Sequence, residues 1–376
     1  MSKKIHIVSF NVPYPADYGG VIDVFYRIKA LCELGVEIHL HAFTYGRPES
    51  DELEKYCSSV KYYHRDVGIV SALGARPYIV QSRNNKDLLT DLAKDDAPIL
   101  LEGLHCCSVL ESLREAGKER RVFVRAHNVE HEYYSRLADV ERNFFKKVYL
   151  NSDARKLRVY ESILTKADVV FAVTEADADH FRKIGCEKVL LMPSSHHDDE
   201  VVSKTSSGCN NGYAIYHADL SVSENIKAVE YLSDVVFARC NCRFVVAGRN
   251  PSEALRYKLS LLPNVRLVAN PDDEEMRILI SDAQVQILVT SFSTGLKLKL
   301  LNSLYAGRHC LVNSMMVAGT RLGDVCTVAD TAEDLLDSLL RLMNTPFTEE
   351  EIERRRSLLG SLYSNRANAA ILLGEL

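Results

Sequence analysis

Two lysines and a glycine occupy a short polar turn that follows a run of apolar residues. The run Val285–Val289 predicts a buried strand, and Leu298–Tyr305 predicts the helix that comes next. Gly295, Lys297 and Lys299 stand between the two elements or at the helix start. Backbone N–H groups, a helix N-terminus and ammonium groups then meet at one point, which suits a phosphate. Because alternate residues at a helix start diverge, we expect Lys297 to contact the ligand and Lys299 to lie on a solvated helix face.

Two further turns between a predicted strand and a predicted helix contain glycine. Gly19 and Gly20 precede the first helix, where a bare backbone can approach an anion or a polar sugar group closely. A plain turn explains this pair equally well. Gly248 allows the same approach, and the planar fork of Arg249 suits a diphosphate, although a solvated arginine is nearly as good an explanation. None of these turns has the Gly-x-Gly-x-x-Gly spacing of a dinucleotide site.

A histidine-rich segment directly follows the predicted strand Val122–Val124. His127, Glu130 and His131 match the spacing of an inverted zincin motif, which would make both histidines zinc ligands. That chemistry needs both histidines on one helix, and His127 instead stands where a strand ends. We therefore predict that His127 faces a ligand cleft at the carboxyl end of a parallel strand. We expect His131 to start the following helix and to be structural.

Other metal and catalytic motifs are weak or absent in the sequence. His196–Glu200 has residue types that bind metals, but a flexible polar linker explains the segment better. No Gly-x-Ser-x-Gly elbow, Walker loop or His-Glu-x-x-His motif is present. Hydrolases of those kinds are therefore disfavoured.

Length and composition limit the class of protein. The chain has 376 residues, enough for two domains, and its net charge of -5 disfavours a general nucleic-acid binder. No run approaches the ~18 apolar residues of a transmembrane helix, and the start reads as a strand instead of a signal peptide. The ten cysteines form no Cys-x-x-Cys pair, which favours reduced thiols. We expect a cytoplasmic protein.

Strands and helices alternate along the whole chain, which predicts parallel sheets covered by helices on both faces. A Ser-, Asn- and Gly-rich stretch separates two such blocks. We predict a Rossmann-like domain at 1–195, a linker at 196–212, a second Rossmann-like domain at 213–346 and C-terminal helices at 347–376, with the ligand in the cleft between the domains. The predicted strands are 5–10, 36–43, 99–101, 122–124, 169–173, 189–192, 214–216, 242–247, 265–268, 285–289 and 309–313.

Several segments together resemble glycosyltransferase family 4, a retaining group with the GT-B fold of two Rossmann-like domains. The resemblance covers nearly the whole chain, and no single motif would suffice. The matching segments are Ile7–Asn11 with Gly19 and Gly20, Leu101–His105, Arg125–His131, Val173–Asp177, Leu191–Pro193, Ala218–Ser221 with Asn225, Val246–Arg249 and Thr294–Lys299.

The resemblance implies a role for each matching residue. Gly19 and Gly20 would lie by the donor diphosphate and the sugar, and His127 would reach a hydroxyl of the transferred sugar. Backbone N–H groups of the loop at Thr294, Gly295, Leu296 and Lys297 would bind the phosphates, and Asn302 would meet the nucleotide ribose. The last helix would cross back to the first domain. The resemblance implies no metal or other cofactor, because helix N-termini and basic side chains stabilise the diphosphate.

The sequence departs from the family pattern at the expected donor site. Two glutamates that the family usually places with seven residues between them are Thr294 and Asn302 here. An asparagine still binds a ribose hydroxyl, but without the charge that strengthens the bond. A usual arginine and lysine are replaced by Asp219 and Asn225, which leaves Arg249 and Lys297 as the expected positive charges.

The sequence therefore predicts a retaining glycosyltransferase that moves a sugar from a nucleoside diphosphate sugar to a saccharide or lipid-linked acceptor. His127, Lys297 and Arg249 are the expected catalytic residues. A lipid-linked acceptor would bring the protein to the inner membrane face, and no nucleic-acid partner is expected. The alternative is a degenerate nucleotide-sugar-binding or partner protein without transferase activity. An epimerase of the same architecture would need an acidic pair that the sequence does not reveal.

Overall fold

A computed structural model describes residues 3–68, 74–141, 143–197, 200–207, 212–291 and 296–376. Contacts divide the chain into two compact units, which consist mainly of Met1–His197 with Leu362–Leu376 and of Asp198–Ser293 with Lys297–Ser361. Each unit has a parallel sheet flanked by helices. The two doubly wound domains predicted from the sequence are confirmed.

The first unit is built on a seven-stranded, all-parallel sheet in the order β3-β2-β1-β4-β5-β6-β7. Every residue of the short apolar strands β4 and β6 is buried, as expected for strands covered on both faces. The strands are β1 Lys4–Ser9, β2 Glu37–Thr44, β3 Ser59–His64, β4 Ile99–Glu102, β5 Val122–Ala126, β6 Val169–Ala172 and β7 Val189–Leu191.

Helices of the first unit connect these strands and cover the sheet. The first of them ends before Gly35, whose φ of 76° suits a residue without a side chain. The helices are α1 Gly19–Glu33, α2 Tyr78–Gln81, α3 Lys86–Leu92, α4 Ser108–Glu115, α5 Glu130–Val140, α6 Phe144–Tyr160 and α7 Glu175–Lys183. The C-terminal helix Asn365–Glu375 also belongs to this unit and packs against α1.

The second unit has a six-stranded parallel sheet in the order β10-β9-β8-β11-β12-β13. Its strands are β8 Tyr213–Asp219, β9 Arg243–Arg249, β10 Val265–Ala269, β11 Val285–Leu288, β12 His309–Val312 and β13 Thr327–Val328. Its helices are α8 Ser223–Val235, α9 Glu253–Ser260, α10 Asp273–Asp282, α11 Leu298–Ala306, α12 Ser314–Val317, α13 Ala332–Asn344 and α14 Glu349–Leu362. The C-terminal helix of the first unit, Asn365–Glu375, is α15. Among the described residues, none of the helices combines the length and apolar character that crossing a bilayer requires.

Two strands, β3 and β13, were not predicted from the sequence, and both lie at the edge of a sheet. β3 is mostly half-buried and contains Ser59, Lys61 and His64, so it lacks the apolar run of an interior strand. β13 has only two residues. Edge strands bury less side-chain surface than central ones, and the hydrophobic signal in their sequence is correspondingly weak.

Gly248 is required by its neighbouring strand. It lies in β9 opposite Ala218 of β8, and a Cβ placed on it would stand 1.8 Å from the carbonyl oxygen of Ala218. From the sequence, we interpret this glycine as allowing close approach of a ligand. The structure gives a second reason, because no side chain fits between the two strands here.

Replacing Gly248 with alanine should therefore lower the free energy of unfolding by about 3 kcal/mol or more, because backbone must move to relieve the overlap. Gly360→Ala is the matched control, since Gly360 is an exposed helical glycine whose added Cβ would meet nothing within 4 Å. That change should stabilise the protein by about 0.5–1 kcal/mol. Denaturant unfolding measures both effects, and equal stability of the two variants would contradict the steric argument.

Candidate functional site

Five charged side chains meet inside the first unit near the carboxyl ends of β4 and β5. This buried charged cluster consists of Asp23, Arg27, Glu102, Arg125 and His127. Oδ2 of Asp23 lies 2.6 Å from Nη2 of Arg27, 3.1 Å from Nη2 of Arg125 and 3.3 Å from Nδ1 of His127. Glu102 places Oε1 3.3 Å from Nη1 of Arg27 and Oε2 3.0 Å from Nε2 of His127. The four residues other than His127 are at most 2% exposed.

Local structure explains why these side chains converge. Glu102 and Arg125 are register partners at the ends of the adjacent parallel strands β4 and β5. His127 follows β5 directly, and its ring is 11% exposed. Asp23 and Arg27 are four residues apart on α1 and so share one helix face. The carboxyl ends of parallel strands and the start of a helix are where doubly wound folds bind ligands.

The electrostatics of the buried charged cluster favour a protonated His127. Burial alone would raise the pKa of Asp23, but Arg125 and Arg27 hold it well below its usual range. Burial alone would lower the pKa of His127, but its contacts with Asp23 and Glu102 outweigh burial and raise it. The protonated cluster thus has three positive and two negative groups. Carboxylates contact both ring nitrogens of His127. His127 would therefore act on a ligand through its positive charge and not through a hydrogen bond.

The two glycines predicted to approach a ligand have different surroundings. Gly19 is the first residue of α1 and is exposed. Gly20 packs on Phe10, because a Cβ placed on it would lie 2.7 Å from Cζ of that ring. Phe10 in turn meets His127 edge-on, with ring centroids 5.4 Å apart. Gly20 therefore lets an aromatic ring support His127.

Lys299 of the second unit is engaged with other side chains, so its predicted place on a solvated helix face is wrong. Its Nζ donates to the hydroxyl of Tyr216 and to Oδ1 of Asn225, each at 3.0 Å. Nζ also lies 4.9 Å from the centroid of the Tyr216 ring. Burial lowers the pKa of Lys299 to about 8, against the attraction of Glu224, and the nearby charge of Lys297 lowers it further. The two lysines therefore place their charges close together.

The remaining residues predicted for the donor site lie on the second sheet and its helices. Lys297 is the half-buried residue that precedes α11, and Asn302 is half-buried within that helix. Arg249 is exposed at the end of β9, opposite Asp219 of β8. Leu296 is half-buried, whereas Thr294 and Gly295 lie outside the described residues.

The two histidine motifs found in the sequence differ from their simplest interpretations. His127 and His131 contact different acids, and α5 starts only at Glu130, so they do not share a helix. His196 was expected in a flexible polar linker, which is wrong. It is 1% exposed, its backbone N–H donates to Asn365 at 3.0 Å, and its Nε2 lies 2.7 Å from the carbonyl oxygen of Tyr363. Asp198 and Asp199 lie outside the described residues.

Replacing His127 with asparagine should remove a pH-dependent part of the stability. The folded protein raises the pKa of His127 above its ordinary value of about 6.5, so its stabilisation is complete below that pH. It declines as the pH rises through the folded-state pKa. The difference in unfolding free energy between wild type and His127→Asn should thus narrow as the pH rises above about 6.5 in denaturant titrations. His64→Asn, at an exposed position of β3, is the control. A difference independent of pH would contradict a charged His127.

Comparison with known proteins bears on the fold. The chain matches no family model. It is 25% identical over 354 residues to an uncharacterized 44.6 kDa protein in the cps region of Klebsiella pneumoniae, covering 89% of this chain and 87% of that protein.

Three solved structures align with the whole chain. A glycosyltransferase from Rickettsia africae has a TM-score of 0.68 at 13% identity, with 100% of this chain and 97% of that chain covered. A UDP-forming alpha,alpha-trehalose-phosphate synthase from Burkholderia xenovorans, in complex with glucose-6-phosphate, has a TM-score of 0.67 at 12% identity and covers 100% and 99%. HepE from Anabaena, in complex with UDP and glucose, has a TM-score of 0.66 at 13% identity and full coverage of both chains. At such low identity the likeness establishes architecture alone: the chain has the GT-B fold of glycosyltransferases.

Proposed function

We propose that the protein is a glycosyltransferase that moves a sugar from a nucleoside diphosphate sugar to a saccharide or lipid-linked acceptor with retention of configuration. The observation that carries this proposal is the alignment of the whole chain, both sheets included, with such enzymes. The HepE structure holds UDP and glucose, and the trehalose-phosphate synthase structure holds glucose-6-phosphate. The sites described above supply charges suited to the same class of ligands.

The second unit would bind the donor through paired lysines. Sequence comparison alone leaves Asn225 where the resembling family has a positive charge. In the structure the ammonium of Lys299 stands 3.0 Å from Oδ1 of Asn225, so the charge reaches this position from α11 instead. Lys297 and Lys299, with Arg249 as a third cation of this unit, would stabilise the diphosphate as it leaves the sugar. The proposal requires no metal ion, because these cations would neutralise the phosphate charge.

The first unit would supply the positive charge of the buried charged cluster and a second pair of cations for the acceptor. Arg83 is 5% exposed and donates to the carbonyl oxygens of Phe10 and Ile79. The guanidinium of Arg65 lies 4.4 Å from the centroid of the Tyr45 ring. Among the described residues neither arginine forms an ion pair with a carboxylate. Uncompensated guanidinium charge favours an acceptor that carries phosphate, as a lipid-linked or phosphorylated sugar does.

The alternative is a nucleotide-sugar-binding or partner protein that has lost transferase activity. Asn302, together with Thr294 outside the described residues, motivates it, because both replace acidic residues expected in an active donor site. A transferase must bind a donor and turn it over, whereas an inactive protein can still bind the donor, so binding and turnover must be measured separately.

Calorimetric titration with UDP, GDP and their sugar conjugates, in the presence of EDTA, tests the donor site. One nucleotide should bind saturably without metal, and Lys297→Ala should weaken its binding by about 10- to 100-fold, the value of one charge-assisted phosphate contact. Lys258→Ala is the matched control, since Lys258 pairs with Asp234 at the surface of the second unit. No binding of any nucleotide would refute the transferase and favour a partner protein. Binding without transfer or hydrolysis across an acceptor panel would favour the inactive alternative.

An exposed apolar and basic face on α6 supports contact with a membrane surface. Phe144 and Phe145 are 71% and 83% exposed, and Val148 and Val159 lie on the same side of the helix at helical spacing. The helix carries five basic residues and one acidic residue, and these are Lys146, Lys147, Arg155, Lys156, Arg158 and Asp153. Apolar side chains flanked by basic ones bind anionic lipid surfaces, where a lipid-linked acceptor would be presented.

Vesicle co-sedimentation tests this face. The protein should bind vesicles of phosphatidylglycerol and phosphatidylcholine, and the double change Phe144→Ser and Phe145→Ser should weaken binding by about tenfold or more. The control is Tyr257→Ser with Leu261→Ser, which removes exposed apolar side chains of similar exposure from the second unit. Equal loss in both double variants, or no binding by the wild type, would contradict the assignment.

A further inference from the structure

Three side chains of types that bind metal ions converge in the first unit. They are not members of the buried charged cluster. His131 comes from the start of α5, Glu161 from the 3-10 turn Glu161–Lys166, and His180 from α7. Oε2 of Glu161 lies 2.7 Å from Nε2 of His180 and 3.1 Å from Nδ1 of His131. One atom from each residue lies within 4.8 Å of the other two. We call these three residues the His–Glu–His cluster.

The carboxylate of the cluster is buried, and its two imidazoles are half-buried. Glu161 is 3% exposed, and the two imidazoles are 17% and 23% exposed. Nδ1 of His131 is inaccessible to solvent and makes no properly directed hydrogen bond, although the carboxylate oxygen is close. The buried nitrogen thus lies beside an oxygen without a hydrogen bond between them. A metal ion bound to both atoms would satisfy the nitrogen.

Charge around the cluster also favours a bound cation. Among the described residues, no lysine or arginine forms an ion pair with Glu161, so the two histidines are its only partners of that kind. A second buried acid, Glu130, is 4% exposed and directly precedes His131 in the chain. A buried carboxylate without arginine or lysine needs a protonated imidazole or a metal ion to compensate it.

We propose that the His–Glu–His cluster binds a zinc ion through Nδ1 of His131, a carboxylate oxygen of Glu161 and Nε2 of His180. Two imidazoles and one carboxylate are a ligand set that zinc takes readily, whereas Mg²⁺ and Ca²⁺ prefer oxygen ligands. Zinc binds four ligands, so one position is left for water. The proposal does not depend on the proposed function.

The zinc ion would join three segments that are far apart in sequence. His131 stands four residues after His127, so a ligand bond at the start of α5 would fix the loop that carries His127. The ion would thus act as a positioning element for the buried charged cluster. In this proposal one histidine of the inverted zincin spacing, His131, is a zinc ligand. Its fellow histidine ligand is His180 and not His127.

Metal titration of the full chain tests the site. After removal of metals with a chelator, Co²⁺ should bind at one ion per chain and give the visible absorption of a tetrahedral site, and Zn²⁺ should displace it. Zinc at 100 times its dissociation constant should raise the melting temperature of the protein by about 3 °C. His180→Ala and Glu161→Gln should weaken zinc binding by more than the ~10- to 100-fold that loss of an outer partner costs.

His64→Ala is the matched control, since it removes an exposed histidine of the same unit and leaves every cysteine in place. It should bind zinc like the wild type. Circular dichroism checks the fold of each variant, and the half-buried His180 gives a usable variant if Glu161→Gln does not fold. Wild-type binding retained in His180→Ala, or no zinc binding by the wild type, would overturn the proposal.

Discussion

The ion pairs between Asp23 and Arg125 connect the parts of the first unit on which its candidate site depends. Asp23 anchors α1, Arg125 belongs to β5, and both reach the chain that leaves β7. The backbone N–H of Ser195 donates to Oδ1 of Asp23 at 2.6 Å, and Arg125 donates to the carbonyl oxygen of Met192. Because both side chains are fully buried, removing either one would leave an uncompensated charge, at a cost of about 3–5 kcal/mol. Asp23 is also one of the two carboxylates that contact His127, the other being Glu102.

The two units use positive charge in different ways. In the first unit, Asp23 and Glu102 raise the pKa of His127, and the buried charged cluster has a net positive charge when His127 is protonated. In the second unit, Lys299 is desolvated and its pKa falls to about 8, so its charge is held less firmly and a bound anion would stabilise it. Both arrangements place positive charge among buried side chains, where salt screens it little.

Much of the architecture was predictable because parallel strands covered on both faces are nearly continuous apolar runs. Such runs identified β1, β4 and β6, and the Gly-containing turns placed Gly19, Gly20 and Lys297 beside helix starts. The edge strands β3 and β13 were missed because they bury little. Lys299 was misjudged because helical periodicity alone cannot show that Tyr216 and Asn225, more than 70 positions away, lie against it. His196 was misjudged for the same reason, since Tyr363 and Asn365 bury it from the far end of the chain.

The sequence by itself determined the fold class and the turns at which polar residues follow strands, since apolar periodicity and glycine placement are local properties of the chain. Only the tertiary structure decided which charges meet. It separated His127 from His131, placed one with Asp23 and Glu102 and the other with Glu161 and His180, and brought Lys299 to Asn225. The physical reason is that charge compensation in a buried site depends on distances of a few ångströms between residues that sequence order keeps far apart.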